Sequence, residues 1–221
     1  MIISFDCYGT LVDWESGIVE TVKSVFEKYG KVVESSEILK LYSQIEPELE
    51  KTYKPYKEVL KLVMKKLGEH FGIKLSEVDE NALVDSIGNW PVFPDTTETL
   101  KRIKELHKIA VISNVDDDIF KLTQEKIGVK FDYIITAQRV GAYKPSMKVF
   151  KYAYREFKVS KNEWIHVAQS IFHDIIPAKK FGVKTILVKR RGFGATPEAY
   201  EDADYIAENL KDVIEILNEI A

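Results

Sequence analysis

Short, nearly continuous apolar runs recur along the chain: "IISF" at the start, then "IAVIS" (109–113), "DYIITA" (132–137), "WIHVA" (164–168), "TILVK" (185–189) and "DYIA" (204–207). Runs of this length and β-branched character, without a polar alternate face, predict strands buried on both sides. Between them apolar residues fall at helical spacing, as in Ile119, Leu122 and Ile127, or Val149, Phe150, Ala153 and Phe157. Alternating strands and helices predict an α/β fold with a parallel sheet and helices on both faces.

The alternation stops between Trp14 and Trp90. There Ile18, Val22, Val25, Phe26 and Tyr29, and later Tyr56, Val59, Leu60, Val63 and Leu67, keep helical spacing with no strand between. Pro91 and Pro94 in "WPVFPDT" punctuate the return, and a new helix is expected near Thr96. The expected organisation is a core of residues 1–13 and 91–221 with a helical cap domain, residues 14–90, over the ligand edge of the sheet. In open parallel sheets that edge lies beyond the carboxyl ends of the strands.

At 221 residues and 45% hydrophobic the chain can bury a substantial core. A formal net charge of -3 with interspersed lysines and acids offers no basic stripe for nucleic acid. No apolar run reaches the roughly 18 residues of a membrane span. The single cysteine, Cys7, forms no internal disulfide, and no secretory leader is evident. A cytoplasmic protein acting on a small molecule is expected, with no nucleic acid or membrane partner and a homodimer as its possible assembly.

Polar residues gather where the strands end: Asp6 after the first, Ser113 and Asn114 after the second, Lys144 in "YKPSMKVF", and Gln169, Ser170 and Asp174 after "WIHVA". A carboxylate at such an edge can attack carbon or phosphorus and form an intermediate that water cleaves. Lys144 would pair with it, Ser113 and Asn114 would offer hydrogen bonds, and Asp174 could hold Lys144 or orient water. Taken singly, Asp6 also suits a turn, Lys144 a solvated charge and Asp174 a helix cap.

The order of these stretches resembles the haloacid dehalogenase (HAD) superfamily, with "FDCYGTLVD", "ISN", "YKP" and "HVAQSIFHD" standing as its four motifs and the helical insertion similar to its type 1 cap. The resemblance implies a Rossmann-like core with Asp6 as nucleophile, Ser113 binding substrate, Lys144 steadying charge and Asp174 completing the set. The candidate catalytic residues are therefore Asp6, Lys144 and Asp174, and the candidate substrate contacts are Tyr8, Thr10, Ser113, Asn114, Gln169 and Ser170. Most phosphatases of the superfamily carry an acid two residues after the nucleophile, whereas its 2-haloacid dehalogenases carry tyrosine, and here the residue is Tyr8. A phenol donates protons poorly at neutral pH, and a halide leaves without one. Gln169 stands where the phosphatase pattern has an aspartate that binds magnesium, and Mg²⁺ prefers anionic oxygen. The implied activity is halide displacement from a small 2-halocarboxylic acid with no metal or other cofactor. Two alternatives stay open: a Mg²⁺-dependent phosphatase of a small metabolite, and a catalytically silent binding protein.

Well-known 2-haloacid dehalogenases grip the substrate carboxylate with an arginine on the first part of the cap, and no arginine lies between Trp14 and Trp90. Lys51, Lys54 and Lys57 are the cations at hand, and Tyr42, Ser43 and Gln44 occupy the corresponding region. Ile171 and Phe150 replace an asparagine and a frequent tyrosine. Asp116, Asp117 and Asp118 read as caps of the following helix, His173 as a secondary proton-transfer candidate, and Cys7 as a core residue pointing away from the site. Trp14, Trp90 and Trp164 read as hinge and packing residues, and Arg190 and Arg191 as surface or interface charges.

Overall fold

The computed structural model describes residues 1–190, 192 and 194–220. Strand β1 (Ile2–Phe5) is followed by five helices, α1 (Trp14–Lys28), α2 (Ser35–Glu50), α3 (Tyr56–His70), α4 (Glu77–Glu80) and α5 (Ala82–Ser86). Helix α6 (Thr96–Leu106) then leads to β2 (Lys108–Ser113), α7 (Asp117–Ile127), β3 (Tyr133–Thr136), α8 (Ala137–Val140), α9 (Met147–Phe157) and β4 (Trp164–Ala168). After a single π-type turn come α10 (Ile176–Phe181), β5 (Lys184–Val188), β6 (Tyr205–Ala207) and α11 (Asp212–Ile220). The strands form one parallel sheet in the order β3-β2-β1-β4-β5-β6. All six apolar runs are strands, and β1 lies inside the sheet, so its end is flanked by the ends of β2 and β4.

Alternate residues of the strands face opposite sides, which is why the runs had to be apolar throughout. Ile2, Ala110, Ile112, Ile135 and Trp164 pack on one side with Val149, Phe150, Ala153 and Phe157 of α9 and Ala178 of α10. On the other side Ile3, Phe5, Ile109, Val111, Ile165 and Val167 join Leu100 and Ile103 of α6, Ile119 and Phe120 of α7, and Val213 and Leu217 of α11. This second core runs on into the inserted helices through Ile18, Val22, Phe26, Tyr42, Val59, Val63 and Leu83.

The chain leaves for the insertion and returns from it along a paired neck. Asp13 N donates to Pro91 O (2.7 Å), Phe93 N donates to Leu11 O (3.0 Å), and Val12 bridges Val92 in antiparallel sense. Asp13 also caps α1, accepting from Ser16 N (3.2 Å). A second fastening is long-range. Both carboxylate oxygens of Asp116, from the core, accept from Tyr56 N and Lys57 N (each 3.0 Å), the exposed N–H groups at the start of α3. Asp116 therefore caps α3 and makes no side-chain cap bond to α7, contrary to the local expectation. Asp117 instead pairs with Arg139 (2.9 Å), and Asp118 pairs with Lys57.

Arg190 also departs from the expectation of a surface charge. It makes a two-pronged pair with Asp95 (2.8 and 2.9 Å), donates to Thr10 O (3.0 Å) and lies over the Phe93 ring. Such a fork fixes planar geometry, so it ties the turn after β1 to the start of α6. Arg191 lies outside the described residues. No helix among the described residues is long and apolar enough to cross a membrane.

At the neck, Gly17 of α1 lies flat against Trp90: an added Cβ would come within 2.2 Å of the indole. Gly17→Ala must push the ring aside and is expected to cost about 1–3 kcal/mol, read as a lower urea midpoint with an unchanged slope and altered Trp fluorescence.

Candidate active site

Backbone pairing places Asp6 one residue past β1, where its N–H still donates to Val167 O (3.0 Å). The chain then folds back sharply: Cys7 O accepts from the N–H groups of Thr10, Leu11 and Val12 (3.2, 2.7 and 3.1 Å). Gly9 takes the left-handed conformation (φ 98°) that this turn needs. The turn carries Thr10 underneath Asp6, where its hydroxyl donates to Asp6 Oδ2 (2.7 Å) and accepts from Gln169 N (2.9 Å). Thr10 is fully buried and is not part of the cavity wall, so it holds the carboxylate where the sequence suggested a substrate contact. Cys7 is buried in the core.

Lys144 lies between two carboxylates. Its ammonium donates to Asp6 Oδ1 (2.8 Å), Asp174 Oδ1 (2.7 Å) and Ile112 O (3.0 Å), which uses all three N–H bonds. The three charged groups are almost fully buried, at 6% exposure for Asp6, 2% for Lys144 and none for Asp174. Burial alone would lower the Lys144 ammonium, but Asp174 and Asp6 raise it above its ordinary value, so it stays charged. Burial raises Asp6 above the usual carboxylate range against the pull of Lys144. Burial also acts to raise Asp174, yet Lys144 and His166 outweigh it and the carboxyl lies lowered.

Behind Asp174 runs a chain of buried hydrogen bonds that crosses the sheet from β4 to β1 and back. Trp164 Nε1 donates to Ser4 Oγ (2.7 Å), Ser4 Oγ meets His166 Nδ1 (2.8 Å), and His166 Nε2 meets Asp174 Oδ1 (2.8 Å). One proton order satisfies every member: Ser4 O–H to Nδ1, and Nε2–H to the carboxylate. His166 is fully buried in β4. In the sequence it shows only as part of a strand, because a histidine inside an apolar run carries no local sign of a partner eight residues on.

The remaining candidates divide by what they touch. Asp6, Tyr8, Ser113, Asn114, Lys144, Gln169, Ser170, His173 and Asp174 line one cavity of about 50 Å³, room for only a small molecule. Ser113 Oγ is buried without a hydrogen-bond partner among the described residues, as is Asp174 Oδ2. Asn114 grips the Lys144 backbone, its Oδ1 accepting from Lys144 N (2.7 Å) and its Nδ2 donating to Lys144 O (3.1 Å). Tyr8 turns its hydroxyl to Thr123 Oγ1 (2.7 Å), and burial pushes the phenol up. Ser170 Oγ accepts from His173 N (3.0 Å) and meets His173 Nδ1 (3.1 Å). Burial pushes His173 down to about 4, so its imidazole is neutral at pH 7.

The inserted helices close the cavity with Trp14, Glu46, Glu50 and Tyr56. Glu46 Oε1 accepts from Tyr42 (3.0 Å) and Tyr56 (2.6 Å), and Glu50 Oε2 accepts from Asn114 Nδ2 at 3.4 Å. The three lysines offered as substrate cations are engaged elsewhere: Lys51 with Glu48 (2.6 Å), Lys54 with Leu49 O (2.6 Å), and Lys57 with Asp118. None lines the cavity. Glu46 and Glu50 are the functional candidates that reading the sequence missed. Their spacing, continuing the buried face of Ile38, Leu39 and Tyr42 by four residues each time, was the available signal.

A divalent cation such as Mg²⁺ would need several hard oxygen donors free to coordinate it. Asp6 and Asp174 already share one ammonium, and the third position is the neutral amide of Gln169, whose Oε1 accepts from Thr196 (3.3 Å). No group of three or more His, Cys, Asp and Glu side chains suited to a metal occurs among the described residues. This set does not fit a tightly held Mg²⁺.

A family model described as haloacid dehalogenase-like hydrolase matches residues 3–188. The (S)-2-haloacid dehalogenase 4A of Burkholderia cepacia is 26% identical over 208 residues, covering 90% of this chain and 86% of that protein. A glyceraldehyde 3-phosphate phosphatase of Methanocaldococcus jannaschii is 28% identical over 131 residues, 58% of this chain and 57% of that one. Among solved structures, the L-2-haloacid dehalogenase from Xanthobacter autotrophicus with chloropropionic acid covalently bound aligns with a TM-score of 0.84 at 19% identity, covering 100% of this chain and 99% of that one. At that identity the likeness speaks for the fold.

The two carboxylates should respond oppositely to neutralisation. Folding favours ionised Asp174, so its contribution is present above the ordinary carboxyl range and lost as pH falls through its lowered value. Folding disfavours ionised Asp6, so stability is lost as pH rises from the ordinary range through its raised value. At pH 7, Asp6→Asn is expected to unfold at or above the wild-type temperature, and Asp174→Asn to lose about 3 kcal/mol, compared by thermal and urea denaturation.

Proposed function

We propose, from the premise that this chain belongs to the haloacid dehalogenase-like hydrolase family, that it is a hydrolytic dehalogenase displacing halide from the carbon beside a carbonyl group. The observation that supports this most directly is at Tyr8, whose hydroxyl is committed to Thr123. That leaves the position two residues after Asp6 without an acid for a departing alkoxide. A halide needs none.

In this scheme an Asp6 carboxylate oxygen attacks the carbon from the side opposite the halogen. The C–O bond forms as the carbon–halogen bond breaks, and halide leaves with the electron pair. The Ser113 hydroxyl, buried without a partner among the described residues, is a donor available to the departing anion or the carbonyl oxygen. Water then attacks the Asp6 carbonyl carbon, giving one proton to Asp174, whose free Oδ2 can take it. Lys144, at 2.8 Å from Asp6, stabilises the tetrahedral oxyanion. Collapse expels the product oxygen, which receives the proton back from Asp174, while the second proton of water departs to solvent and Asp6 is regenerated as carboxylate. Thr10 keeps the nucleophile aimed, and His166 keeps Asp174 oriented. No step uses a metal.

The family also includes phosphatases, and the 28% relative is named as one. The test is therefore comparative. Halide release from 2-chloropropionyl compounds, the acid and the amide, is measured without metal beside phosphate release from an aryl phosphate with Mg²⁺. Metal-independent halide release that disappears in Asp6→Asn is the expected outcome; Mg²⁺-dependent phosphate release alone would replace this reading with the phosphatase one.

A further inference from the structure

The wall that the inserted helices give the cavity carries two carboxyl groups. Glu46 and Glu50 stand one turn apart on α2 and both line the cavity. The one lysine in the wall has no N–H left to offer, because its three protons go to Asp6, Asp174 and Ile112 O. Asn114, one of the two side-chain amides in the wall, already donates to Lys144 O and toward Glu50. Glu46 is occupied by the two phenols of Tyr42 and Tyr56. Glu50 takes one hydrogen bond on Oε2, from Asn114 at 3.4 Å, while its Oε1 is buried without a hydrogen-bond partner among the described residues. A substrate group reaching this wall thus meets an unused carboxyl oxygen.

A carboxylate is the wrong group to bring there. Against ionised Glu50 it places two anions together out of water, and the charges of Lys144 and Lys54 offset the burial of Glu50 only in part. Burial, reinforced by Glu46, raises the Glu50 carboxyl well above its ordinary value, yet protonation does not rescue the fit. A protonated Glu50 gives a carboxylate one hydrogen bond and leaves two acceptor oxygens facing each other. A primary amide instead offers N–H to the acceptor oxygen and, when Glu50 is protonated, C=O to its O–H, so both edges are paired. It also enters without the desolvation cost of a charge.

We propose that this cavity selects a small 2-haloamide over the corresponding 2-haloacid, and that Glu50 is the residue that sets the preference. The proposal rests on the dehalogenase reading above and names the substrate class within it. The same chemical step applies, since halide leaves from the carbon beside an amide carbonyl as it does beside a carboxylate, and the product is the 2-hydroxyamide.

The experiment compares kcat/KM for halide release from 2-chloropropionamide and 2-chloropropionate, in wild type, Glu50→Leu and Glu50→Gln. Wild type is expected to favour the amide by about tenfold or more, the size of one well-made buried hydrogen bond. Glu50→Leu should bring the two substrates to within about threefold by loss on the amide, and Glu50→Gln, which can still pair with an amide, should keep most of the preference. Preference for the acid in wild type, or a ratio untouched in Glu50→Leu, would overturn the proposal while leaving the dehalogenase reading intact. Binding of unreactive propionamide and propionate to Asp6→Asn, followed by ligand-observed NMR, reads the same selection without turnover. Absence of halide release from both compounds would defeat the dehalogenase reading, and the NMR preference would then still support or overturn selection by Glu50.

Discussion

Everything in the site is arranged around one buried ammonium. Lys144 reaches from the loop after α8 to two carboxylates at the ends of neighbouring strands, and its three N–H bonds all find acceptors within 3.0 Å. Two anions this far from water would not both stay ionised without that cation. The position of Lys144 is in turn fixed by Asn114, which pairs with both backbone groups of the lysine. The strand ends therefore supply more than a platform: β1 carries the nucleophile candidate, the loop beyond β2 the clamp, and the turn beyond β4 the second carboxylate. The two acids differ although they share this ammonium: Asp6 has a further donor in Thr10 and Asp174 in His166, but burial and the neighbouring Asp174 together hold Asp6 above its ordinary range.

The inserted helices add what the sheet cannot, a cover over the cavity that carries the carboxyl groups of Glu46 and Glu50. Its fastenings include the paired neck, the Asp116 cap on α3, and the Tyr143 hydroxyl donating to Lys54 O at 2.7 Å. Asp116 is two residues beyond Asn114, so the loop after β2 both clamps Lys144 and holds the insertion over the cavity.

What could be read from the chain followed the reach of the interactions concerned. The strands were legible because burial on two faces leaves no polar alternate, and the residues after β1, β2 and β4 were legible because a parallel sheet brings strand ends together by construction. Helix α2 is less legible: Pro47 lies within it, a residue that ordinarily ends a helix, and its buried face ends in acids, which on a helix ordinarily face solvent. His166 was hidden for a similar reason, since its partners Ser4 and Asp174 lie 162 and 8 residues away. Asp116 and Arg190 were assigned local or surface roles, yet Asp116 caps a helix about sixty residues earlier and Arg190 pairs with Asp95 across 95 residues. In each case a charged side chain was paired by the fold, and a local reading has no access to that pairing.

In the proposed reaction Asp6 becomes covalently attached to carbon and is released by water attacking its own carbonyl. Turnover in H₂¹⁸O, with the Asp6 peptide and the product both analysed by mass spectrometry, tests this directly. A single turnover at excess enzyme should give unlabelled product and place ¹⁸O in the Asp6 carboxylate. Labelled product with an unlabelled Asp6 would mean that water attacks the substrate itself, and the account of Asp6 as nucleophile would be wrong.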